Sequence, residues 1–346
     1  MKLLAGAPSD LSNYYGTYEW DRYLFYRFRP GVEVPLTDAL APPGIRPRTR
    51  WVLRTNRAGF PGPYVAPGAH PGIYRILCMG DSSTFGWGVE PEDAYPERLR
   101  AELERRHPGA RIEVVNMGVC GYSSFQGRIL LKREGLAYQP DLITISYGSN
   151  DWSRVPEPFD EAYERNAGWT GAVRALLHHS RAYQVYAALL TRAVSGEWHE
   201  RVKEAGVDRA ETMPLNVGPE KSEANIRAMI RMSREAGAEP VVVTNCVRDQ
   251  MAEPVDQAAE AERAPLVRTE DLLASWIPRV PRSTALSAPL ARVISVYGKA
   301  LVDEHPDLEV YLADGCHPNV VGHRILAEAL ADQVEASPSF RKFLHR

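Results

Sequence analysis

A serine, an aspartate and a histidine in this sequence have the residue types and the context that nucleophilic catalysis requires. Ser82 lies in the motif GDSST (80–84), directly after a short apolar run, and Asp314 and His317 share the motif DGCHP (314–318). A serine hydroxyl is a weak nucleophile unless a base lies within hydrogen-bond reach and a third group orients that base. We therefore predict that His317 is the general base for Ser82 and that Asp314 orients His317.

Two further motifs supply hydrogen-bond donors of the kind that stabilise the oxyanion formed during acyl transfer. Gly121 ends the motif NMGVCG (116–121), and a glycine lets its backbone N–H approach a substrate without a side chain in the way. Asn150 lies in the motif GSND (148–151), and its amide group is a donor. Together with the backbone N–H of Ser82, these residues predict an oxyanion hole.

Aromatic residues flank these motifs and are candidates for the walls of a substrate pocket. Trp152 is the first of them, because it directly follows the motif of Asn150, and Tyr122 and Trp87 are the others. Packing in the core would explain each of them equally well. Asp81, next to Ser82, is interpreted as a structural residue that fixes the local turn.

The elements that must position these residues are short apolar runs that alternate with amphipathic helical patterns. This alternation is typical of a parallel sheet with helices on both faces. We predict five strands, each ending near one of the motifs or near an insertion. The predicted strands are Ile76–Met79, Ile112–Asn116, Leu142–Tyr147, Pro240–Asn245 and Leu308–Leu312.

The four motifs, in this order and at the ends of predicted strands, resemble those of the SGNH or GDSL hydrolases over residues 74–336. The resemblance implies an α/β fold with three α/β/α layers, flavodoxin-like, around the central five-stranded parallel sheet. It also implies esterase, lipase, thioesterase or deacetylase chemistry through an acyl-enzyme on Ser82, without a metal or an organic cofactor. Two alternatives remain open: an acyltransferase that uses a sugar or another hydroxyl as acceptor, and a non-catalytic protein that binds a glycan or a lipid.

The domain organisation is predicted from changes in composition along the chain. Residues 1–72 are rich in proline, arginine and aromatic residues and are interpreted as a β-rich N-terminal extension packed on the main domain. Residues 73–346 form the predicted hydrolase domain, which is interrupted by insertions near 152–218 and 247–284. Insertions at strand ends are candidates for lids or for walls of the substrate pocket. They could equally be surface segments with no role in substrate binding.

Composition limits the partners of this 346-residue chain. A net charge of −3 gives no basic surface for nucleic acid, and no apolar run of about 18 residues could span a membrane. The remaining histidines lack the spaced partners of a zinc site.

The first ten residues contain no apolar run of signal-peptide length. We expect a cytoplasmic protein with four free cysteines, no metal and a small-molecule ester or acylated sugar as substrate. The sequence does not indicate the oligomeric state.

Overall fold

The computed structural model describes residues 16–37, 50–155, 214–247 and 249–345, together with 158, 160, 163, 166–178, 180, 182, 183 and 186. The strands of its central sheet are β5 (Tyr74–Gly80), β6 (Ile112–Gly118), β7 (Leu142–Ser146), β8 (Glu239–Thr244) and β9 (Leu266–Arg268). All neighbouring pairs are parallel, in the order β6-β5-β7-β8-β9. The fold is therefore the predicted flavodoxin-like one, and its order reverses between β5 and β7, where open α/β sheets form their ligand crevice.

The apolar runs form strands because both faces of the sheet are covered. In β5, Leu77 and Met79 pack on one side, while Ile76 and Cys78 pack on the other. The helices that begin or end beside the sheet are α1 (Ser82–Phe85), α2 (Tyr95–Arg106), α3 (Ser124–Arg133), α5 (Pro219–Glu235), α6 (Ala252–Ala261), α10 (Val320–Ala336) and α11 (Pro338–Leu344). Side chains of α3, α5 and α6 cover the first face, and those of α2, α10 and α11 cover the second. Three layers result.

The N-terminal strands form two antiparallel pairs outside the central sheet. They are β1 (Tyr18–Asp21) with β2 (Phe25–Phe28), and β3 (Glu33–Thr37) with β4 (Arg50–Arg54). Apolar side chains alternate along β2 and β4, so Tyr26, Phe28, Trp51 and Leu53 are buried in the same core as the first face of the sheet. The remaining helices are α4 (Trp169–Leu177), α7 (Thr269–Trp276), α8 (Ser287–Tyr297) and α9 (Lys299–Glu304).

One predicted strand is wrong. Residues of the run Leu308–Leu312 lie in a 3-10 turn, Pro306–Glu309, and in an isolated bridge between Tyr311 and Pro318. The run is mostly apolar because Leu308, Val310 and Tyr311 are buried in a separate cluster with residues of α7 and α8, outside the sheet. The fifth strand is β9, which lies within residues 247–284.

Two of the four cysteines predicted to be free are joined by a disulfide, Cys246–Cys316, while Cys78 and Cys120 are free. The prediction of four free thiols is therefore wrong, because residues 70 positions apart in the sequence come together at one end of the sheet. The expectation of a cytoplasmic location loses the support that it drew from free thiols. Among the helices of the described residues, none is long and apolar enough to cross a membrane.

Candidate active site

Ser82 lies at a sharp junction between β5 and α1, at the carboxyl edge of the sheet. A Cβ at Gly80 would lie 2.0 Å from Thr84 Oγ1 and 3.0 Å from the carbonyl oxygen of Ser146, so only glycine fits at the end of β5. Asp81 is the N-cap of α1, and its Oδ1 accepts a hydrogen bond from the backbone N–H of Ser83 at 3.0 Å. The junction leaves the Ser82 hydroxyl partly exposed.

The structure brings Ser82, His317 and Asp314 together in the order that the sequence predicts. The distance between Ser82 Oγ and His317 Nε2 is 2.8 Å, and the distance between His317 Nδ1 and Asp314 Oδ2 is 2.6 Å. Both distances are within hydrogen-bond range. With the proton on Nδ1 held by the carboxylate, Nε2 can accept the hydroxyl proton of Ser82. This arrangement has the geometry of a nucleophile, a base and an orienting acid.

The short motif DGCHP orients its own histidine. Asp314 Oδ1 accepts hydrogen bonds from the backbone N–H groups of Cys316 at 2.9 Å and His317 at 3.0 Å, which leaves Oδ2 for the imidazole. Burial alone would raise the pKa of Asp314, but the hydrogen bond and charge of His317, together with these N–H groups, outweigh it. The pKa of Asp314 is therefore lower than usual, and its carboxylate is ionised at neutral pH.

Two backbone N–H groups follow neighbouring strands, Ser82 after β5 and Gly121 after β6, at the carboxyl edge of the sheet. Within the described part of the chain, neither the N–H of Ser82 nor that of Gly121 donates a hydrogen bond to another residue. Gly121 has φ +79°, a conformation that disfavours other residues, and a Cβ here would lie 2.7 Å from the hydroxyl oxygen of Tyr26. Glycine is required at position 121 by both constraints.

Asn150 lies in the 3-10 turn Ser149–Trp152, and its amide nitrogen already has two acceptors. Nδ2 is 3.2 Å from Asp81 Oδ2 and 3.1 Å from the carbonyl oxygen of Tyr122. Asp81 Oδ2 also accepts the hydroxyl of Ser149 at 2.8 Å. Burial raises the pKa of Asp81, although the hydrogen bonds from Ser83 and Ser149 oppose this effect. The contacts fix the Asn150 amide beside Asp81, the residue before Ser82, but they also occupy both of its hydrogens.

The turn that carries Asn150 is anchored by Asp151, which is fully buried. Its Oδ1 accepts from the backbone N–H of Ser124 at 2.8 Å, and its Oδ2 accepts from the hydroxyl of Ser222 at 2.6 Å. Burial raises the pKa of Asp151 to about 6, while the hydrogen bonds from Ser124 and Ser222 oppose the rise. Asp151 therefore links the turn to the beginning of α3 and to α5.

The three aromatic candidates for a pocket wall have different environments. The ring of Trp87 lies 6.4 Å from that of His317, centroid to centroid, and is packed against Trp51 of β4 at 5.0 Å. Trp152 is partly exposed at the end of the turn of Asn150. Tyr122 is only 1% exposed, and its hydroxyl donates to the carbonyl oxygen of Tyr26 at 2.6 Å. Its ring has little surface left for a substrate.

Sequence reasoning missed residues that contact this site from elsewhere in the fold. They are Tyr26 in the N-terminal hairpin, which lies next to Gly121, and Cys246 after β8, which is bonded to Cys316. Only the position of Cys316, between Asp314 and His317, could have drawn attention to the disulfide. The contacts of Tyr26 span more than 90 residues of sequence and leave no local pattern.

A three-layer fold with this site at the carboxyl edge of its sheet defines an ester hydrolase of the SGNH type. The sequence model of the GDSL-like lipase/acylhydrolase family matches residues 78–325. The chain belongs to this family.

Similar solved structures are known, at low sequence identity. An α/β hydrolase enzyme from the metagenome of Lake Arreo, Spain, is 16% identical, with a TM-score of 0.43 over 75% of this chain and 94% of the other. An acetylxylan esterase from Geobacillus stearothermophilus is 17% identical, with a TM-score of 0.42 over 75% and 93%. The lipase/acylhydrolase from Enterococcus faecalis is 16% identical, with a TM-score of 0.42 over 76% and 96%. No curated protein sequence gives a significant match.

Proposed function

We propose that this protein hydrolyses a carboxylic ester through an acyl-enzyme on Ser82, with His317 as general base and Asp314 as the residue that orients it. The observation that carries the proposal is the unbroken hydrogen-bonded series from Ser82 Oγ through the imidazole of His317 to Asp314 Oδ2, with distances of 2.8 and 2.6 Å. Such a series activates a hydroxyl that is otherwise a weak nucleophile.

In the first step, Ser82 Oγ attacks the carbonyl carbon of the ester and its proton passes to His317 Nε2. The imidazolium that forms is stabilised by Asp314, which is ionised because its pKa is lowered. His317 then gives the proton to the oxygen of the leaving alcohol as the ester C–O bond breaks. In the second step, water attacks the acyl-enzyme and loses a proton to the same nitrogen. His317 returns this proton to Ser82 Oγ as the bond between Oγ and the acyl carbon breaks, and the carboxylic acid is released.

The oxyanion of each tetrahedral intermediate is held by the N–H groups of Ser82 and Gly121 and by the amide of Asn150. The first two N–H groups have no acceptor within the described residues, so they are available without rearrangement. The hydrogen bond from Asn150 Nδ2 to the carbonyl oxygen of Tyr122, 3.1 Å away, must break before Asn150 can donate to the oxyanion. A developing negative charge is a stronger acceptor than a neutral carbonyl, which favours this exchange.

The substrate that we propose is a small-molecule ester or an acylated sugar, bound between Trp87 and Trp152. The ring of Trp87 lies 6.4 Å from the ring of His317, the residue that gives its proton to the leaving alcohol in this mechanism. Aromatic faces pack on acyl chains and on sugar rings alike. Tyr122, the third predicted wall residue, contributes through its backbone, because its ring is buried.

The division into an N-terminal extension, 1–72, and a hydrolase domain, 73–346, is also a proposal. It is supported by the start of the family match at residue 78 and by the separate pairing of β1 to β4. The extension also contacts the proposed active site, because Tyr26 lies next to the loop of Gly121.

The test of the mechanism combines covalent labelling with turnover. Purified protein is treated with a fluorophosphonate probe, and hydrolysis is measured on p-nitrophenyl esters from acetyl to long acyl chains and on acetylated sugars. We expect labelling at Ser82, and we expect Ser82→Ala to lose labelling and turnover together. The matched control is Ser83→Ala, which removes the neighbouring hydroxyl and should still be labelled. Full turnover by Ser82→Ala would refute the proposal.

Transfer of the acyl group to a sugar or another hydroxyl would use the same acyl-enzyme. The insertion 152–218, one of the candidate lids, lies largely outside the described residues. The ester panel distinguishes the two reactions when it is repeated with added sugar acceptors. Hydrolysis as the main reaction predicts that the free acid remains the dominant product.

A further inference from the structure

The loop that carries Asp314 and His317 does not continue a strand of the sheet. It lies between the 3-10 turn Pro306–Glu309 and α10, and two backbone hydrogen bonds close it on itself. The N–H of Leu312 donates to the carbonyl oxygen of His317 at 2.8 Å, and the N–H of Gly315 donates to that of Leu312 at 2.9 Å. These bonds shape the loop, but they do not tie it to the strand ends on which Ser82 depends.

The disulfide Cys246–Cys316 makes that connection. Cys316 lies between Asp314 and His317 in the loop, and Cys246 lies two residues after β8, with a Cα–Cα distance of 4.9 Å. The two sulfur atoms and a ring nitrogen of His317 all lie within 4.8 Å of one another. The disulfide therefore reaches from the end of a sheet strand to the immediate surroundings of the imidazole.

The same disulfide contacts the nucleophile side of the site. The hydroxyl of Ser83, the residue after Ser82, donates to Cys246 Sγ at 3.7 Å. The nucleophile side and the loop of His317 are thus linked through this hydrogen bond and the disulfide, in addition to the hydrogen bond between Ser82 and His317.

The sheet end of the disulfide is rigidly held. Asn245, the residue before Cys246, donates from Nδ2 to Ser146 Oγ at 3.0 Å at the end of β7, and the backbone N–H of Val247 donates to Glu270 Oε1 at 2.9 Å. Cys246 itself has φ +57°, a left-handed conformation that a residue other than glycine keeps only when its neighbours impose it. Because Cys246 is held in place, the disulfide constrains the position of Cys316 and of the loop that carries His317.

We propose that the Cys246–Cys316 disulfide is a positioning cross-link that holds His317 over Ser82, so that ester hydrolysis depends on the thiol redox state of the protein. The inference rests on the proposed function. A dithiol reductant opens the bond by two thiol–disulfide exchanges: its two sulfurs form a disulfide, and two electrons and two protons pass to the sulfurs of Cys246 and Cys316. Both cysteines are partly exposed, so a reductant can reach them.

Opening the bond should act on the chemical step more than on substrate binding. Neither sulfur belongs to the proposed substrate walls, so substrate binding should change little. The chemical step is more sensitive, because a displacement of the base by about 1 Å costs on the order of 100-fold in rate. We therefore expect kcat to fall by about 10-fold to 100-fold on reduction, with KM changed by less than about threefold. The rate of fluorophosphonate labelling at Ser82 should fall in parallel, because it reports activation of the hydroxyl by His317.

The experiment compares the oxidised protein, the same protein after dithiothreitol, and the variant Cys246→Ser/Cys316→Ser. Alkylation and peptide mass analysis give the fraction of opened disulfide, and kcat, KM, the labelling rate and the pH dependence of kcat/KM are measured for each. The double variant should match the reduced protein and should not respond to dithiothreitol, since it keeps only Cys78 and Cys120. Reoxidation of the reduced wild type should restore kcat.

Circular dichroism at the assay temperature separates a positioning role from a purely structural one. The proposal requires that reduced and double-variant proteins remain folded while kcat falls and the pH profile changes. Unchanged kcat with a fully opened disulfide, or a loss of activity that only follows the unfolded fraction, would overturn it. Failure of the proposed function has a different signature, because the oxidised protein itself would then fail to label at Ser82.

Discussion

The hydroxyl of Tyr26 donates a hydrogen bond to the carbonyl oxygen of Cys120, 2.9 Å away, directly before Gly121. In return, the hydroxyl of Tyr122, directly after Gly121, donates to the backbone carbonyl of Tyr26 at 2.6 Å. The N-terminal hairpin thus holds the loop of Gly121 from both sides. A segment that lies outside the family match therefore shapes the proposed oxyanion hole.

Replacing Tyr26 by phenylalanine tests this relationship. The change removes one hydrogen bond to the loop, with a net free energy of about 1 kcal/mol, and we expect kcat on p-nitrophenyl acetate to fall by about fivefold. KM should change little, because Tyr26 lies behind the loop. Tyr64→Phe, at an exposed tyrosine, is the control and should keep the kcat of the wild type. A lower melting temperature with unchanged kcat would show that the hairpin stabilises the fold without shaping the site.

Gly121→Ala should be far more damaging, and its effect should depend on Tyr26. The added Cβ would lie 2.7 Å from the Tyr26 hydroxyl oxygen but 3.9 Å from the next ring atom, so removal of the hydroxyl relieves the clash. The cost of φ +79° for alanine, about 1 kcal/mol, would remain. We expect the double variant Tyr26→Phe/Gly121→Ala to have a higher kcat than Gly121→Ala alone. Strictly additive losses in this double-mutant cycle would contradict the geometry.

Four strands of the sheet could be predicted because strands that are buried on both faces appear as continuous apolar runs. The strand β9 could not, since it has three residues, of which only Val267 is buried. The run Leu308–Leu312 has the composition of a strand without forming one, because burial in a cluster of helices and turns selects the same residue types. Hydrophobicity predicts burial, but it does not distinguish a short edge strand from a buried turn.

The candidate site, like the fold, could be predicted from the sequence only in part. Asp314 and His317 could be placed because three residues of local sequence bring them together, and Ser82, Gly121 and Asn150 because parallel strands end at one edge. The contacts of Tyr26 with Cys120 and of Cys246 with Cys316 bring together segments 94 and 70 residues apart. Such pairs depend on the packing of whole elements, and no local pattern marks them.

Asp151 should give the protein a pH-dependent stability that an asparagine variant lacks. Its pKa is raised from 3.8 to about 6 in the folded state, so between these values the folded protein binds the proton more tightly than the unfolded chain does. Its contribution to stability is therefore fully present below about pH 4 and is lost as the pH rises through about 6. The loss amounts to at most about 3 kcal/mol.

Urea unfolding of the wild type and of Asp151→Asn between pH 4 and 7.5 measures this contribution. An asparagine can still accept from the N–H of Ser124 and can donate to Ser222, so the variant should fold. We expect the free energy of unfolding of the variant, relative to wild type, to rise across this pH range. Asp303→Asn, at an exposed aspartate, should show no such change. A constant difference between variant and wild type would mean that Asp151 stays ionised.

Asp314→Asn tests the orientation of the base without removing its hydrogen bond. The carbonyl oxygen of the new amide can still accept from the N–H groups of Cys316 and His317, but the amide nitrogen would then donate to His317 Nδ1. The imidazole proton is thereby forced to Nε2, which can no longer accept the proton of Ser82. We expect kcat to fall by a factor on the order of 10³ to 10⁴, with KM nearly unchanged, because His317 keeps its position but carries its proton on Nε2.

The matched control for Asp314→Asn is Asp307→Asn, an exposed change in the preceding 3-10 turn, which should leave kcat at the wild-type value. Kinetics on p-nitrophenyl acetate and the rate of fluorophosphonate labelling should fall together in Asp314→Asn, since both require the proton of Ser82 to reach Nε2. A variant that keeps more than about a tenth of the wild-type kcat would show that His317 is oriented by its backbone alone. Asp314 would then stabilise the loop through Oδ1, and its contact with the imidazole at 2.6 Å would be incidental to the chemistry.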